Sequence, residues 1–97
     1  MTITVGNLSI EWDARKDSLN IKKHGVHFED AAFVFLDDNR VEFYDIKHSK
    51  TEDRYIVIGM VGDILFVIYT ERGESIRIIS ARKATPLERK MYYGKNS

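Results

Sequence analysis

The sequence has no cysteine, a single proline and no long apolar run. The absence of cysteine excludes a disulfide framework and a thiolate metal site, and it fits a reducing compartment. No apolar stretch approaches the roughly 20 residues that a membrane-spanning helix needs, and the first residues lack the regions of a secretion signal. We therefore predict a soluble, cytoplasmic protein that does not enter a membrane.

The chain also lacks a net charge, because 15 Lys and Arg residues balance 15 Asp and Glu residues. This balance argues against a strongly basic nucleic-acid binder. The charges are nevertheless uneven: residues 75–97 and 15–24 are basic, whereas residues 29–53 are mainly acidic. A local cluster of charge acts at short range even where the sum cancels, so both basic segments remain candidate contacts for phosphate.

A length of 97 residues predicts one domain, with its core at about residues 8–93. Hydrophobic periodicity and turn residues predict the elements. Strands are predicted over residues 8–12, 40–44, 54–61, 64–69 and 76–79, and helices over residues 14–24, 28–36 and 86–93. This order predicts an α+β fold with a mainly antiparallel sheet, a meander of about four strands plus a short N-terminal strand. Two N-terminal helices and one C-terminal helix are expected on one face, with a polar loop at residues 45–53 and a tail at residues 94–97.

Local signals fix the ends of the first and last helices. Asp13 is a predicted N-cap for the first helix, and Gly25 is the left-handed residue after its end. Thr85, Pro86 and Glu88 have the spacing of a capping box with proline at the first helical position. These signals predict well-defined helix boundaries.

The segment from residue 64 to residue 84 carries the best candidate site. Two β-rich runs flank Gly73 and predict a β-hairpin whose apolar side chains enter the core. Arg77, Arg82 and Lys83 remain as cations on this stiff support, and guanidinium groups match phosphate oxygens in a bidentate manner. The hairpin is therefore a candidate phosphate-binding surface.

Cleavage of RNA by its own 2′-hydroxyl needs cations for the developing charge, a base and an acid. His24, Tyr69 and Glu71 are the proton-transfer candidates near the hairpin. The three histidines lack the spacing of a metal site, the glycines do not open a phosphate-binding loop, and no serine has a nucleophile-elbow context. We predict no metal and no cofactor.

Each candidate also has a purely structural interpretation. Arg72 is compatible with solvated turn surface, Arg77 with a cross-strand ion pair, and His24 with a cation that closes a helix. Tyr92 and Tyr93 are candidate platforms for base stacking, although one of them is expected to seal the last helix. The residues alone leave these alternatives open.

Several short motifs together resemble the BrnT family. They are Trp12-Asp13, Lys23-His24-Gly25, Phe28-Glu29-Asp30-Ala31, Tyr69-Thr70-Glu71-Arg72, RIISARKA at residues 77–84 and ERKMY at residues 88–92. The resemblance implies a RelE-like fold and a bacterial type II toxin that cleaves RNA, without a metal, and inhibits translation. It further implies a BrnA-type antitoxin with a ribbon-helix-helix part that binds DNA, and a complex that represses its own operon.

The resemblance also implies roles for individual residues. Arg77, Arg82 and Lys83 are expected to hold phosphate, while His24, Tyr69 and Glu71 transfer protons. The RNA-binding set is Lys23, Arg72, Ser80, Arg89 and Tyr92. RNA is the expected substrate, free or on the ribosome, and DNA is reached only through the antitoxin. The alternatives are a non-catalytic protein-binding module and an inactive homologue that acts only as a co-repressor. A double-stranded DNA binder ranks third, because no basic helix lies in a helix-turn-helix context.

Overall fold

A computed structural model describes residues 1–95. The elements in chain order are β1 (Thr2–Val5), β2 (Leu8–Glu11), α1 (Ala14–His24), α2 (Phe28–Ala31), a 3-10 helix (Ala32–Leu36), β3 (Val41–Tyr44), a short 3-10 helix (Ile46–His48), β4 (Tyr55–Val61), β5 (Asp63–Arg72), β6 (Ser75–Lys83) and α3 (Pro86–Lys95). The predicted α+β class is confirmed. No helix within residues 1–95 has the length and apolar character needed to cross a bilayer.

The six strands form one sheet in the order β1-β2-β6-β5-β4-β3. The predicted meander is confirmed, because β3, β4, β5 and β6 are antiparallel neighbours in sequence order. β2 joins this meander in parallel, with Ser9–Glu11 opposite Ser75–Arg77. The short parallel contact leaves the outer edge of β6 without a strand partner beyond Arg77.

The N-terminal segment contains one strand more than predicted. β1 pairs antiparallel with β2 around a turn in which Gly6 has a φ of 61°, a conformation that glycine adopts without strain. Val5 is buried in the core. Sequence reasoning did not select the Thr-Ile-Thr-Val alternation of β1, although it predicted β2 and β3, which also have four residues each.

The sheet has two differently covered faces. The closed face carries the larger apolar cluster, which includes Val57, Val67 and Ile78, and α1, α2 and the first 3-10 helix cover it. The opposite, half-covered face carries Ile56, Ile58 and Ile64 under Tyr92 of α3. The expectation of all helices on one face was therefore wrong. α3 follows β6 onto the half-covered face and buries Tyr92 there.

α3 covers only part of the half-covered face. It packs chiefly against β3 and β4, and Phe66 and Ile68 on β5 remain only partly buried. The open part therefore lies over β5 and β6.

The predicted helix caps are confirmed. The Asp13 carboxylate accepts hydrogen bonds from the backbone N–H groups of Arg15 and Lys16 at 2.9 and 3.0 Å, and Gly25 has a φ of 71°. Thr85 and Glu88 close the capping box through hydrogen bonds of 2.8 and 3.2 Å. Charged and polar side chains thus set the position of both helices that border the candidate site.

Three other segments differ from the prediction. The second helix tightens into a 3-10 helix after Ala31, where its backbone approaches β4 so closely that a Cβ added to Gly59 would lie 3.0 Å from Val34 Cβ. The predicted polar loop contains the buried Asp45, which accepts a hydrogen bond from the His48 backbone N–H. The predicted tail begins inside α3, and its last two residues lie outside the described residues.

Candidate functional site

β6 places three predicted site residues on the half-covered face. Arg77, Ser80 and Arg82 are paired across the hairpin with residues of β5 that are two positions apart. Those partners are Thr70, Ile68 and Phe66, respectively. Since side chains two apart on a strand point to the same face, the two guanidinium groups and the hydroxyl share one face of the sheet.

A β-bulge makes this arrangement possible. In a regular strand, Arg77 and Arg82 would point to opposite faces because they are an odd number of residues apart. The register shifts between Ile68 and Tyr69, so that Ile79 is an additional residue on β6. The two arginines therefore return to the same face, roughly 13 Å apart along the strand.

Arg82 is held on two sides. Its Nη1 and Nη2 donate to the two carboxylate oxygens of Glu88 at 2.7 and 2.9 Å, and its guanidinium carbon lies 4.1 Å from the centre of the Phe66 ring. The hydrogen bonds to Glu88 raise the pKa of Arg82. Burial disfavours the charged form of Glu88, yet hydrogen bonds from Arg82 and Thr85 outweigh it and lower the pKa of Glu88. The guanidinium group is therefore oriented before any ligand arrives.

Other predicted cations also have acidic partners. Arg77 Nη1 lies 3.0 Å from Glu11 Oε2 on the neighbouring strand. Arg89 Nη1 donates to Asp63 Oδ1 at 2.9 Å, and Lys83 Nζ is 4.0 Å from the same carboxylate while remaining 72% exposed. A hydrogen bond from the Ile64 backbone, followed by those from Arg89, lowers the pKa of Asp63. Four predicted cations thus contact three carboxylates, so most of the local positive charge is paired.

α1 runs along the outer edge of β6 beyond Arg77, where no strand within residues 1–95 pairs with that edge. The Asn20 side chain donates to the Ala81 carbonyl oxygen at 2.8 Å and accepts from the Ala81 N–H at 3.2 Å. One buried amide therefore binds the strand edge through both of its polar atoms, as a neighbouring strand would. A second hydrogen bond from Asn20 to the Val26 carbonyl ties the chain after α1 to the same point.

A depression of about 220 Å³ lies between α1 and β6. Lys23, His24 and Ser80, three predicted site residues, line it together with Lys16, Leu19, Asn20 and Ile79. Lys16 adds a cation that sequence reasoning did not select. The depression therefore joins the basic end of α1 to the strand that carries Arg77 and Arg82.

Tyr69 and Glu71 do not join this group. Tyr69 belongs to the closed-face cluster, is only 7% exposed and donates its hydroxyl hydrogen to Glu42 Oε1 at 2.8 Å. Burial, followed by this hydrogen bond, raises the pKa of Tyr69. Glu71 is opposite Ile76, which packs against the closed-face cluster. Both residues lie on the face away from the arginines, so their location does not favour the predicted proton-transfer roles.

The remaining predicted RNA-binding residues are dispersed. Arg72 is exposed at the end of β5, next to the Gly73 turn. Tyr92 is buried and donates to Asp37 Oδ2 at 2.6 Å; burial and this hydrogen bond raise the pKa of Tyr92 to about 12. Arg89 borders an open depression of about 540 Å³ on the outer side of α3, beside the half-exposed Tyr93. Tyr92 is thus the tyrosine that seals the helix.

Sequence reasoning did not select Glu11, Asn20, Phe66 or Glu88 as site residues. Glu88 was recognised only as a helix cap, and its second role required knowing that Arg82 lies beside the cap. Glu11 and Asn20 reach β6 across more than 60 residues of chain, and no local pattern signals such contacts. Within residues 1–95, no three or more His, Cys, Asp or Glu side chains are grouped as a metal site would require.

Comparison with known proteins now adds to this geometry. The family described as the ribonuclease toxin, BrnT, of type II toxin–antitoxin systems matches residues 12–88. The chain belongs to the BrnT toxin family. The crystal structure of the Brucella abortus ribonuclease toxin, BrnT, is similar with a TM-score of 0.62 and 31% sequence identity, covering 78% of this chain and 95% of that chain. No curated protein matches.

Membership of the BrnT family places the chain in a class of ribonuclease toxins and implies an antitoxin partner. The family match over residues 12–88 includes α1, the meander, the bulged strand β6 and the start of α3. It leaves out residues 1–11, which form β1 and β2. The candidate site therefore lies almost entirely within the part shared with the family, whereas the N-terminal hairpin lies outside it.

Proposed function

We propose that this BrnT protein is an endoribonuclease that cleaves RNA by attack of the substrate's own 2′-hydroxyl. The RNA backbone runs over the open part of the half-covered face, where Arg77 and Arg82 bind its phosphate groups. Lys83 is opposite Leu65 of the closed-face cluster and adds charge only from the end of the strand, whereas Ser80 lies between the two arginines. The scissile phosphate lies next to the depression between α1 and β6.

In the proposed reaction, the 2′-oxygen forms a bond to phosphorus while the bond to the 5′-oxygen breaks. His24 accepts the proton of the 2′-hydroxyl, and Lys23 donates a proton to the leaving 5′-oxygen. The products are a 2′,3′-cyclic phosphate and a 5′-hydroxyl. The guanidinium groups stabilise the negative charge that develops on the phosphoryl oxygens, the largest contribution that such a site can make. No bound metal is required in this scheme.

One observation supports this proposal above the others. The bulge at Ile79 brings Arg77, Ser80 and Arg82 to one face, beside the depression that holds His24 and Lys23. In a strand of the same sequence without that bulge, Arg77 would point to the face opposite Ser80 and Arg82. A conformation that carries an irregularity and assembles cations with a titratable group is a reasonable mark of function.

The test is cleavage of a single-stranded RNA by the purified protein in EDTA. We expect fragments that end in a 2′,3′-cyclic phosphate, and no cleavage where a 2′-deoxynucleotide replaces the attacking one. His24→Gln and Arg77→Ala are expected to lower the rate. Lys50→Ala is the matched control, because Lys50 is an exposed cation in the loop before β4. Cleavage that persists in the arginine variants, or that requires a metal, would contradict the proposal.

We further propose that RNA cleavage inhibits translation in the cytoplasm, on free or ribosome-bound RNA. A BrnA-type antitoxin with a ribbon-helix-helix part binds the toxin, neutralises it and carries the complex to its operator. Expression of the toxin alone should arrest growth and amino-acid incorporation, and co-expression of the antitoxin should restore both. A gel-shift assay with operator DNA should respond to the complex and not to the toxin alone.

A second function is favoured by the ion pairs. Arg77, Arg82 and Arg89 each contact a carboxylate, so the face presents little unpaired positive charge. In this alternative, a toxin whose arginines are paired in this way does not cleave RNA and acts as a co-repressor that binds the antitoxin. Binding of operator DNA by the complex, together with the absence of cleavage and of growth arrest, would favour this alternative.

A further inference from the structure

β1 forms a sheet edge that carries no charged side chain, no proline and no bulge. Its sequence, Thr-Ile-Thr-Val, contains no charged side chain and no proline, and Thr2 and Thr4 are exposed. The unpaired backbone groups of an edge strand can pair with another chain, and proteins limit this with short strands, charges, proline or bulges. β1 is short, but it has no charge, proline or bulge, and its pairing with β2 is regular.

The opposite edge of the sheet provides the contrast. β3 carries Glu42, which pairs with Arg40 at 3.1 Å just before the strand. Lys95 from α3 reaches the Arg40 carbonyl oxygen at 3.5 Å. Charge and a neighbouring helix therefore guard the β3 edge, and the β1 edge is the one left available.

The hydrogen-bond pattern identifies which backbone groups face outward. Met1 and Trp12 exchange two backbone hydrogen bonds of 3.0 Å, so this pair is of the hydrogen-bonded type. The two types alternate along an antiparallel ladder. Thr2 and Thr4 are therefore in non-hydrogen-bonded positions, and their N–H and C=O groups point away from β2.

We propose that β1 pairs with β1 of a second copy of this chain. The two strands run antiparallel about a two-fold axis at Ile3, so that Thr2 of one copy lies opposite Thr4 of the other. The outward N–H and C=O groups of both threonines then form four hydrogen bonds between the copies, and the two sheets become one continuous sheet.

A second copy suits this edge because the strand is self-complementary. A two-fold axis places the same segment on both sides, and a charged strand would meet its own charge there. β1 instead brings threonine to threonine and isoleucine to isoleucine. The apolar surface continues beyond the strand: Met1 is 71% exposed, and the 52% exposed Leu36 lies so close to Gly6 that an added Cβ would be 3.2 Å from its Cδ2.

This inference does not depend on the proposed RNA cleavage. It concerns a segment outside the residues that match the BrnT family, at an edge that is separated from β5 by β2 and β6. Dimer formation and ribonuclease activity can therefore be tested, and can fail, separately.

The first test is the molar mass of the purified full chain, measured by sedimentation and light scattering from micromolar to near-millimolar concentration. We expect a concentration-dependent dimer. Thr4→Pro removes an outward N–H and no bond within the sheet, and should weaken the dimer by roughly ten- to a hundredfold. Thr4→Val keeps the N–H group and is the matched control, which should dimerise as the unmodified chain does. A chain that is monomeric throughout this range would overturn the proposal.

The second test examines the register and does not depend on proline. A Thr2→Lys, Thr4→Lys variant and a Thr2→Glu, Thr4→Glu variant should each be monomeric, because like charges would face each other across the axis. Mixed together, they should form a heterodimer that high salt weakens. A dimer that survives in the lysine variant alone would show that another surface mediates it. Loss of antitoxin binding in Thr4→Pro, with no dimer of the free chain, would assign the edge to the antitoxin and overturn the proposal.

Discussion

The two faces of the sheet use the same strands for different purposes. On the closed face, β4, β5 and β6 contribute buried residues such as Val57, Val67 and Ile78, which lie under α1, α2 and the first 3-10 helix. On the half-covered face, α3 packs chiefly against β3 and β4, and the rest carries arginine, serine and partly buried apolar residues. The difference teaches that the apolar core and the proposed RNA-binding surface are separated by face and not by segment, because β5 and β6 contribute to both.

This separation has an energetic reason. A cation keeps its usefulness for phosphate only where water or a ligand can reach it, and full burial of an unpaired charge is costly. A fully packed second face would therefore exclude a phosphate-binding site. The placement of α3 at one side leaves room for the arginines while Tyr92 still closes the apolar cluster.

The first prediction compares one aromatic residue on each face. Phe28 is fully buried on the closed face, so Phe28→Ala should lower the free energy of unfolding by about 3–5 kcal/mol through lost burial and a cavity. Phe66 is partly buried on the other face, and Phe66→Ala should cost only about 1–2 kcal/mol. Urea unfolding measures both values. Equal losses would show that the faces contribute alike.

The second prediction concerns activity. Arg82→Ala should lower the rate of RNA cleavage roughly 100- to 1000-fold, because it removes an oriented cation from the developing phosphoryl charge. The free energy of unfolding should fall by about 1 kcal/mol or less, since the pair with Glu88 is partly exposed. Single-turnover cleavage and thermal unfolding provide the two measurements, with Lys50→Ala as the control. A large loss of stability would place Arg82 with the closed-face residues instead.

The third prediction concerns pH. Burial disfavours the charged form of Asp37, but hydrogen bonds from Tyr92, Met60 and Asn39 outweigh it and lower its pKa from 3.8. Asp37→Asn should therefore cost about 2 kcal/mol near neutral pH, since hydrogen bonds to a charged group are lost.

The sign of the pH dependence follows from that lowered pKa. The contribution of Asp37 is present above the ordinary value of 3.8 and is lost as the pH falls through the lower pKa of the folded state. The difference between the two proteins in urea unfolding should shrink in that acidic range. Asp38→Asn changes the exposed neighbouring residue and should show no such dependence. A difference that stays constant on acidification would rule out this role of the carboxylate.

The smallest expected effect is that of Glu88→Gln. Glutamine can still accept the cap hydrogen bond from Thr85, but without a negative charge it competes less strongly with phosphate for the guanidinium group. RNA affinity at low salt should increase about two- to threefold, the equivalent of ~0.5 kcal/mol. Glu29→Gln on α2 is the charge-matched control for the change in overall field. Weaker binding would mean that orientation of Arg82 by Glu88 matters more than competition.

Much of the fold could be predicted from local signals. Asp13, Gly25 and the Thr85–Glu88 capping box fixed the helix ends, and Gly73 fixed the hairpin, because each acts through its own backbone neighbours. The arginines of the site could be selected for the same reason, as cations on a strand that apolar residues anchor.

The remainder depends on contacts that are distant in sequence. The parallel pairing of β2 with β6 and the hydrogen bonds between Asn20 and Ala81 join residues more than 60 positions apart. No pattern within either segment requires these contacts. The side on which α3 packs is set by the path of the chain after β6. Tyr69 and Tyr92 have the right chemistry for a site, yet burial assigned both to cores, and burial is a property of the whole fold.

The bulge at Ile79 makes the site sensitive to the length of the chain as well as to its chemistry. Side chains along a strand point alternately to its two faces, and the additional residue between Ile78 and Ser80 shifts this alternation by one position. If the strand became regular with every residue kept, the five-residue spacing would turn Arg77 or Arg82 towards the apolar interior; if Ile79 were deleted together with the bulge, the two arginines would be four residues apart and would still share a face. Counting residues is therefore as important for this surface as choosing them.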